Sequence, residues 1–358
     1  MARSQQVPAE MRALVVETAG NWSIEMVETP EIDDVDNVLV EVETVSICGT
    51  DPKIINGYVD GWPPSFPFIP GHEWSGRVVE VGEDVERLAS GDRVFAESHH
   101  GCGHCERCRE GKYNLCENYA DFEAGHRQIG HTSSGTYAEY AAVPADTLYH
   151  LDEELSWREG ALLDVNAIAL YLTERGKVSP GDTVAVFGTG TVGLLAVQIA
   201  KAMGATTVIG VGNPQRNHLA EELGADYTIS YKDDNVVKQI FDLTDGLGVD
   251  ISLEAAGQGV AFRQAVEVTR KGGTVSMDGI PNENLQEIPM ADLVTNEIEF
   301  RGCRAHANRA DASARLVKNG RVEVDPLFTH EFDFEDFHEA YETFTERKDD
   351  AVKVALTF

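Results

Sequence analysis

The sequence predicts an α/β protein of two domains: a β-rich domain carrying an inserted cysteine lobe, then a parallel sheet covered by helices on both faces. Three observations predict it. Short apolar-alternating segments run from Met11 to about residue 150, four cysteines cluster between Cys102 and Cys116, and from Asp182 onward β-branched strands alternate with helical spacing. At 358 residues the chain can bury a substantial core and by size favours two domains over one.

In chain order, MRALVVE and WSIEMVE follow a polar leader and have the texture of short strands. VLVEVETVSI, Val38 to Ile47, alternates with period two and delivers the chain to Cys48, where a strand end makes a rigid mount for a ligand. NGYVDGWPPSFPFIPGHE carries four prolines and three glycines before His72, which excludes a helix and predicts a long loop over a cleft. Trp62 and Phe66 either line a substrate pocket there or pack the loop down. SGRVVEVG, DRVFAE and GTYAEYAAVP are strand signals, the last one for a pair.

From Trp157 the residues suit helices. DTVAVFG is a buried strand, and TVGLLAVQIAKAMGA places Val192, Leu195, Ala196, Ile199 and Ala200 at helical spacing before Gly204. TTVIGVG, DYTISY, DISLEAAG and GGTVSMDG are the later strands of a parallel sheet. FEDFHEAYETFTE is a helix and AVKVALTF a closing strand. Cys303, beside the apolar run IEFRG, is predicted to be a packed thiol.

Cys102, Cys105, Cys108 and Cys116 form a CxxCxxCx7C array. The competing reading is a pair of disulfides, but two-residue gaps suit four thiolates wrapped on one tetrahedral ion, and nothing marks the chain as secreted. With four protein ligands no place is left for water, so a zinc ion there is expected to be structural.

The turn of Gly188, Thr189, Gly190, Thr191, Val192 and Gly193 follows a strand and opens a helix, the context in which a glycine pattern predicts dinucleotide binding. Val211 and Gly212 stand where an acid would hold the ribose hydroxyls of NAD, and Asn213 and Arg216 follow, so NADP is favoured over NAD.

There are 61 acidic residues against 29 basic ones, a net charge of −32, scattered along the chain. That surface repels nucleic acid and itself unless salt screens it, which predicts a salt-rich cytoplasm such as that of a halophilic archaeon. No apolar run approaches the length of a membrane span, and Met1 to Glu10 lacks a signal-peptide core. The expected location is cytoplasmic, with no membrane or nucleic-acid partner.

Cys48-Gly49-Thr50-Asp51, Gly71-His72-Glu73, the cysteine lobe and the Gly188 to Gly193 turn occur in one order. That order resembles the zinc-dependent medium-chain dehydrogenase/reductase family from about Met11 to Phe358, and within it the threonine and polyol dehydrogenases. The resemblance implies a GroES-like catalytic domain over 1–164, a doubly wound Rossmann domain over 165–303 and a return segment of the first domain over 304–358, with catalysis in the cleft between the two domains. It implies two zinc ions per chain. The catalytic one takes Cys48, His72, Glu73 and Asp164, the last two directly or through water. It further implies Thr50 as the hydroxyl that bonds substrate, His99 beside it, and Lys53 where relatives carry a relay histidine. Asp51 orients the loop. A small-molecule substrate is expected, a secondary alcohol such as a sugar, polyol or sugar acid, and a homo-oligomer, tetramer or dimer. The alternatives are an L-threonine 3-dehydrogenase and a non-catalytic NADP-binding scaffold.

Overall fold

Period-two alternation requires a sheet with one buried face, and the strand Asn37–Ser46 fulfils it by burying Val38, Val40 and Val42. The computed structural model describes residues 7–32, 34–59, 61–281 and 288–358, so the start of the polar leader, Met1 to Gln6, lies outside the described residues. Two units result, Met1–Asp164 with Asp325–Phe358, and Val165–Val324.

In the first unit a seven-stranded sheet runs Phe328–Asp333, Lys353–Thr357, Asn37–Ser46, Glu73–Val81, Arg93–Ala96 and Leu148–His150, with Tyr140–Pro144 also pairing Asn37–Ser46. Glu10–Thr18 and Asn21–Glu28 form a separate hairpin. Trp74, Tyr137, Phe334 and Phe337 are among the largest side chains fully buried in this unit, and each contributes about 1.5–3 kcal/mol of burial. The segment GTYAEYAAVP yields one strand, Tyr140–Pro144. Its first half is committed instead to hydrogen bonds with Ile69, Pro70 and Gly71.

The second unit holds six parallel strands in the order Tyr227–Ser230, Thr207–Gly212, Thr183–Phe187, Val249–Glu254, Thr269–Met277 and Glu299–Gly302. This doubly wound order reverses direction at Thr183–Phe187, which places the Gly188 turn at the switch point. The fold is therefore α/β, with the β-rich and Rossmann parts that the sequence predicts.

The return to the first unit begins at Asp325 and not at residue 304. Helix Ala310–Lys318 belongs to the second unit because Asn166 Nδ2 donates to Ser313 Oγ at 2.9 Å. Gln198 likewise binds both the N–H and the carbonyl of Glu323, at 2.7 and 2.9 Å. Cys303 is half-buried, with its sulfur 3.3 Å from Ser276 Oγ. Among the described residues, no helix is long and apolar enough to cross a membrane.

Candidate active site

Cys48 lies two residues past the end of strand Asn37–Ser46, while His72 immediately precedes strand Glu73–Val81 and Glu73 begins it. The two strands pair antiparallel with Ser46 opposite Glu73, and this register brings together residues that are distant in sequence. One ligand atom from each of Cys48, His72 and Glu73 lies within 4.8 Å of the others. A thiolate, an imidazole and a carboxylate at this spacing are a donor set that fits zinc.

Asp51, fully buried, orients the set. Its Oδ2 accepts the Cys48 N–H at 2.6 Å and the Tyr137 O–H at 2.5 Å, and its Oδ1 is 3.4 Å from His72 Nδ1. With Nδ1 turned to the carboxylate, Nε2 is the His72 nitrogen left for an ion. Burial pushes the Asp51 pKa up, but the His72 ring, the Tyr137 hydroxyl and the Cys48 amide together leave it lowered. Burial pulls His72 down, and Cys48 and Asp51 override it to hold the ring well above its ordinary pKa. Asp51 opens a short helix, Asp51–Ile55, that the sequence analysis did not anticipate; Pro52 in its first turn suits that start.

Thr50 Oγ1 donates to Cys48 Sγ at 3.3 Å and lies 3.5 Å from His72 Nε2, so the hydroxyl faces the donor set. Lys53 is one turn further along the same helix. His99 is buried on the strand His99–His100 opposite Gln128, whereas His100 turns outward to Asp146 at 2.7 Å, which settles which of the two adjacent histidines faces inward. Asp164 is buried in the first turn of helix Leu163–Gly176, outside the Cys48, His72 and Glu73 group.

Beside His72 stands a wall of which Trp62 alone is legible in the sequence. The His131 ring is 4.3 Å from the His72 ring and 4.8 Å from Trp62. Trp62 Nε1 donates to Tyr119 at 2.6 Å, and Tyr119 donates to Gln128 Oε1. Trp62 thus reaches the site, while Phe66 packs against the core of the first unit.

In the lobe, Cys102 Sγ is 3.9 Å from Cys108 Sγ, and Cys105 Sγ is 4.0 Å from Cys116 Sγ. Disulfide sulfurs would be about 2.05 Å apart, whereas four sulfurs at about 2.3 Å from one zinc are separated by about 3.8 Å. The sulfurs therefore fit an ion. At Cys102 burial is outweighed by N–H donors from Cys105, His104 and Asn118, which bring the thiol to about 6, while burial and the neighbouring thiols push Cys108 up to about 12.

In the second unit the glycines make a cradle. A Cβ on Gly193 would lie 1.7 Å from the Gly188 carbonyl oxygen, and one on Gly190 would meet nothing within 4 Å, so the turn is tight behind and open in front. Thr189 Oγ1 accepts the Asn213 N–H at 3.0 Å, and its side chain fills the place where a Cβ of Gly212 would go, 2.0 Å from Oγ1. An acid at position 212 is therefore excluded sterically as well as absent. Arg216 is buried, with Nη1 3.4 Å from the Thr189 carbonyl oxygen.

Glu254 ends one strand of this sheet, and Asp278 follows the end of the neighbouring strand, Thr269–Met277. Burial raises Glu254 to about 7 against the N–H groups of Ala256, Gly257 and Gln258, with Asp278 adding to the rise, and desolvation of its carboxyl raises Asp278 to about 7. Two acids with raised pKa bind more protons folded than unfolded, so their contribution is most favourable below about pH 4 and is lost as pH rises through about 7. Glu254→Gln/Asp278→Asn is expected to flatten the fall in thermal midpoint between about pH 5 and pH 8. An unchanged slope in differential scanning calorimetry would refute this.

Comparison with known proteins follows the same two-part division. Residues 34–153 match the alcohol dehydrogenase GroES-like domain, and residues 191–319 match the zinc-binding dehydrogenase family. A sorbitol dehydrogenase of Bacillus subtilis is 33% identical over 352 residues, 98% of each chain. An L-threonine 3-dehydrogenase of Bacillus licheniformis is 34% identical over 349 residues, 93% of this chain and 94% of its own. The crystal structure of a putative zinc-binding dehydrogenase from Sinorhizobium meliloti 1021, bound to NADP, superposes with a TM-score of 0.89 at 31% identity, covering 98% of this chain and 100% of its own.

Proposed function

Since the chain belongs to the zinc-binding dehydrogenase family, we propose that it interconverts a secondary alcohol of the polyol or sugar class with its carbonyl, using NADP in preference to NAD. The observation that carries this reading is the joining of Cys48, His72 and the Thr50 hydroxyl at one place, with Asp51 fixing the imidazole behind them.

A bound zinc supplies the Lewis acidity that lowers the pKa of an alcohol O–H, and the nicotinamide supplies the hydride acceptor. Cys48 Sγ and His72 Nε2 are the donors that would hold the ion, with Glu73 a third; Asp164, outside that group, would be the fourth by the family pattern, direct or through water. Asp51 keeps the His72 proton on Nδ1. Thr50 Oγ1 accepts the proton that the alcohol loses as it gives up its own, which passes outward to His99 or to Lys53 in its neutral form. The second zinc of the chain belongs to the four cysteines of the lobe, where it is structural. The turn from Gly188 to Gly193 receives the pyrophosphate, and the closed slot at Gly212, with Asn213 and Arg216 beside it, supports NADP.

The wall of Trp62, Tyr119, Gln128 and His131 supports a polyhydroxyl substrate, because it offers no carboxylate, ammonium or guanidinium to pair with the ammonium and carboxylate of threonine. The acidic surface supports function in high salt. A homo-oligomer is supported by exposed Met290, Val294 and Phe300, on and beside the edge strand Glu299–Gly302. A panel of sugars, polyols and L-threonine, assayed with NADP and NAD in molar and in dilute salt, tests the reading. Turnover of several polyols with NADP at high salt is expected. Turnover restricted to L-threonine would overturn the substrate class, and an optimum in dilute buffer the salt adaptation.

A further inference from the structure

Lys353 is buried on the closing strand, with 3% of its side chain exposed, and its Nζ lies 2.5 Å from Glu73 Oε2 and 3.1 Å from the Ile47 carbonyl oxygen. Ser46 Oγ donates to the same Glu73 oxygen at 2.5 Å. Three adjacent strands make this knot: Ala355 pairs with Ser46, and Ser46 with Glu73. Ile47 and Glu73 adjoin Cys48 and His72 in the sequence, so the knot sits directly behind two of the donors.

A buried ammonium is costly unless it is paired, and apolar residues of similar volume often hold a strand as well. Lys353 therefore implies a task beyond packing. The carboxylate contact of Lys353 and that of Ser46 both fall on Oε2, which leaves Oε1 as the Glu73 oxygen without a neighbour in the knot. We propose that Lys353 is a positioning residue: it ties Glu73 Oε2 and offsets its charge, so that Glu73 offers a metal ion a single oxygen and the ion keeps room for substrate. This rests on the reading of Cys48 and His72 as metal ligands.

The test loads the full chain with zinc in the lobe and cobalt(II) at Cys48 and His72, then records the cobalt absorption bands and the rate at which 1,10-phenanthroline removes the cobalt. In Lys353→Met, Glu73 keeps only the Ser46 bond and brings its full charge and second oxygen to the ion. The bands should weaken as the coordination number rises, and removal should slow by about tenfold, whereas Lys353→Arg should stay within about twofold of the parent. A folded Lys353→Met with parental bands and removal rate would overturn the proposal. If that variant does not fold, Glu73→Gln is compared with Lys353→Met/Glu73→Gln, in which no charge is left unpaired. Because Lys353 acts through Glu73, the two should agree within about twofold, and a larger difference would overturn it. A parent chain whose cobalt bands match those of His72→Ala would instead refute the reading of the metal ligands.

Discussion

Replacing His72 with alanine is expected to lower kcat/KM for alcohol oxidation by about a thousandfold or more, with the catalytic metal lost and the fold retained. His72 is buried and its Nε2 lies 3.5 Å from Thr50 Oγ1, so alanine removes one of the three donors that Cys48, His72 and Glu73 bring together. A Lewis-acidic ion contributes several kcal/mol to stabilising developing negative charge, and about 1.4 kcal/mol corresponds to each tenfold of rate. Asp51 retains the Tyr137 hydroxyl and the Cys48 amide, which is why the loop should hold its shape without the ring. The raised pKa of His72 adds a pH signature. In the metal-free chain its proton competes with the ion, so zinc retention weakens as pH falls through the folded pKa, while the His72 and Asp51 pair stabilises the metal-free fold below that pKa and is lost above it. Metal content and steady-state rates across pH check both statements. A metal-depleted His72→Ala with undiminished turnover would refute the first.

The second large effect concerns the glycine cradle. Gly193→Ala sets a Cβ against the Gly188 carbonyl oxygen at 1.7 Å, and that backbone is held because the Gly188 N–H donates to Val211 at 2.8 Å. Neither side can yield, so the turn must distort. A loss of stability of about 1–3 kcal/mol and dinucleotide binding weakened by at least about a hundredfold are expected. Gly190→Ala separates the two effects. Its Cβ meets nothing within 4 Å, so the thermal midpoint should be preserved while the methyl group occupies space that the pyrophosphate needs. Calorimetric titration with NADP reads the binding. A Gly190→Ala chain that binds NADP as tightly as the parent would contradict the placement of the cofactor.

What could be read in the sequence follows from how local each signal is. The cysteine lobe and the glycine turn are written in short spacings, and their geometry matches them: sulfurs 3.9 to 4.0 Å apart in the lobe and a closed backbone approach at Gly193. Cys48, His72 and Glu73 were visible only through a family pattern, because strand register joins them. Lys353 lies 280 positions from Glu73, and the closing strand AVKVALTF gives no sign of which carboxylate its lysine meets. Tyr137 beneath Asp51 and His131 against His72 were invisible for the same reason. The boundary at residue 304 comes from the resemblance, whereas Asn166 and Gln198 tie Ser313 and Glu323 into the unit that ends at Val324. At Gly212 the sequence revealed a missing acid, and the Thr189 side chain supplies the physical reason that none can be there.

X-ray diffraction from crystals of the zinc-loaded chain, recorded above and below the zinc absorption edge, tests the central claim most directly. Two anomalous peaks per chain are predicted, one enclosed by Cys102, Cys105, Cys108 and Cys116 and one bonded to Cys48 Sγ and His72 Nε2. A peak in the lobe alone, with ordered and vacant Cys48 and His72 side chains at full zinc loading, would contradict it.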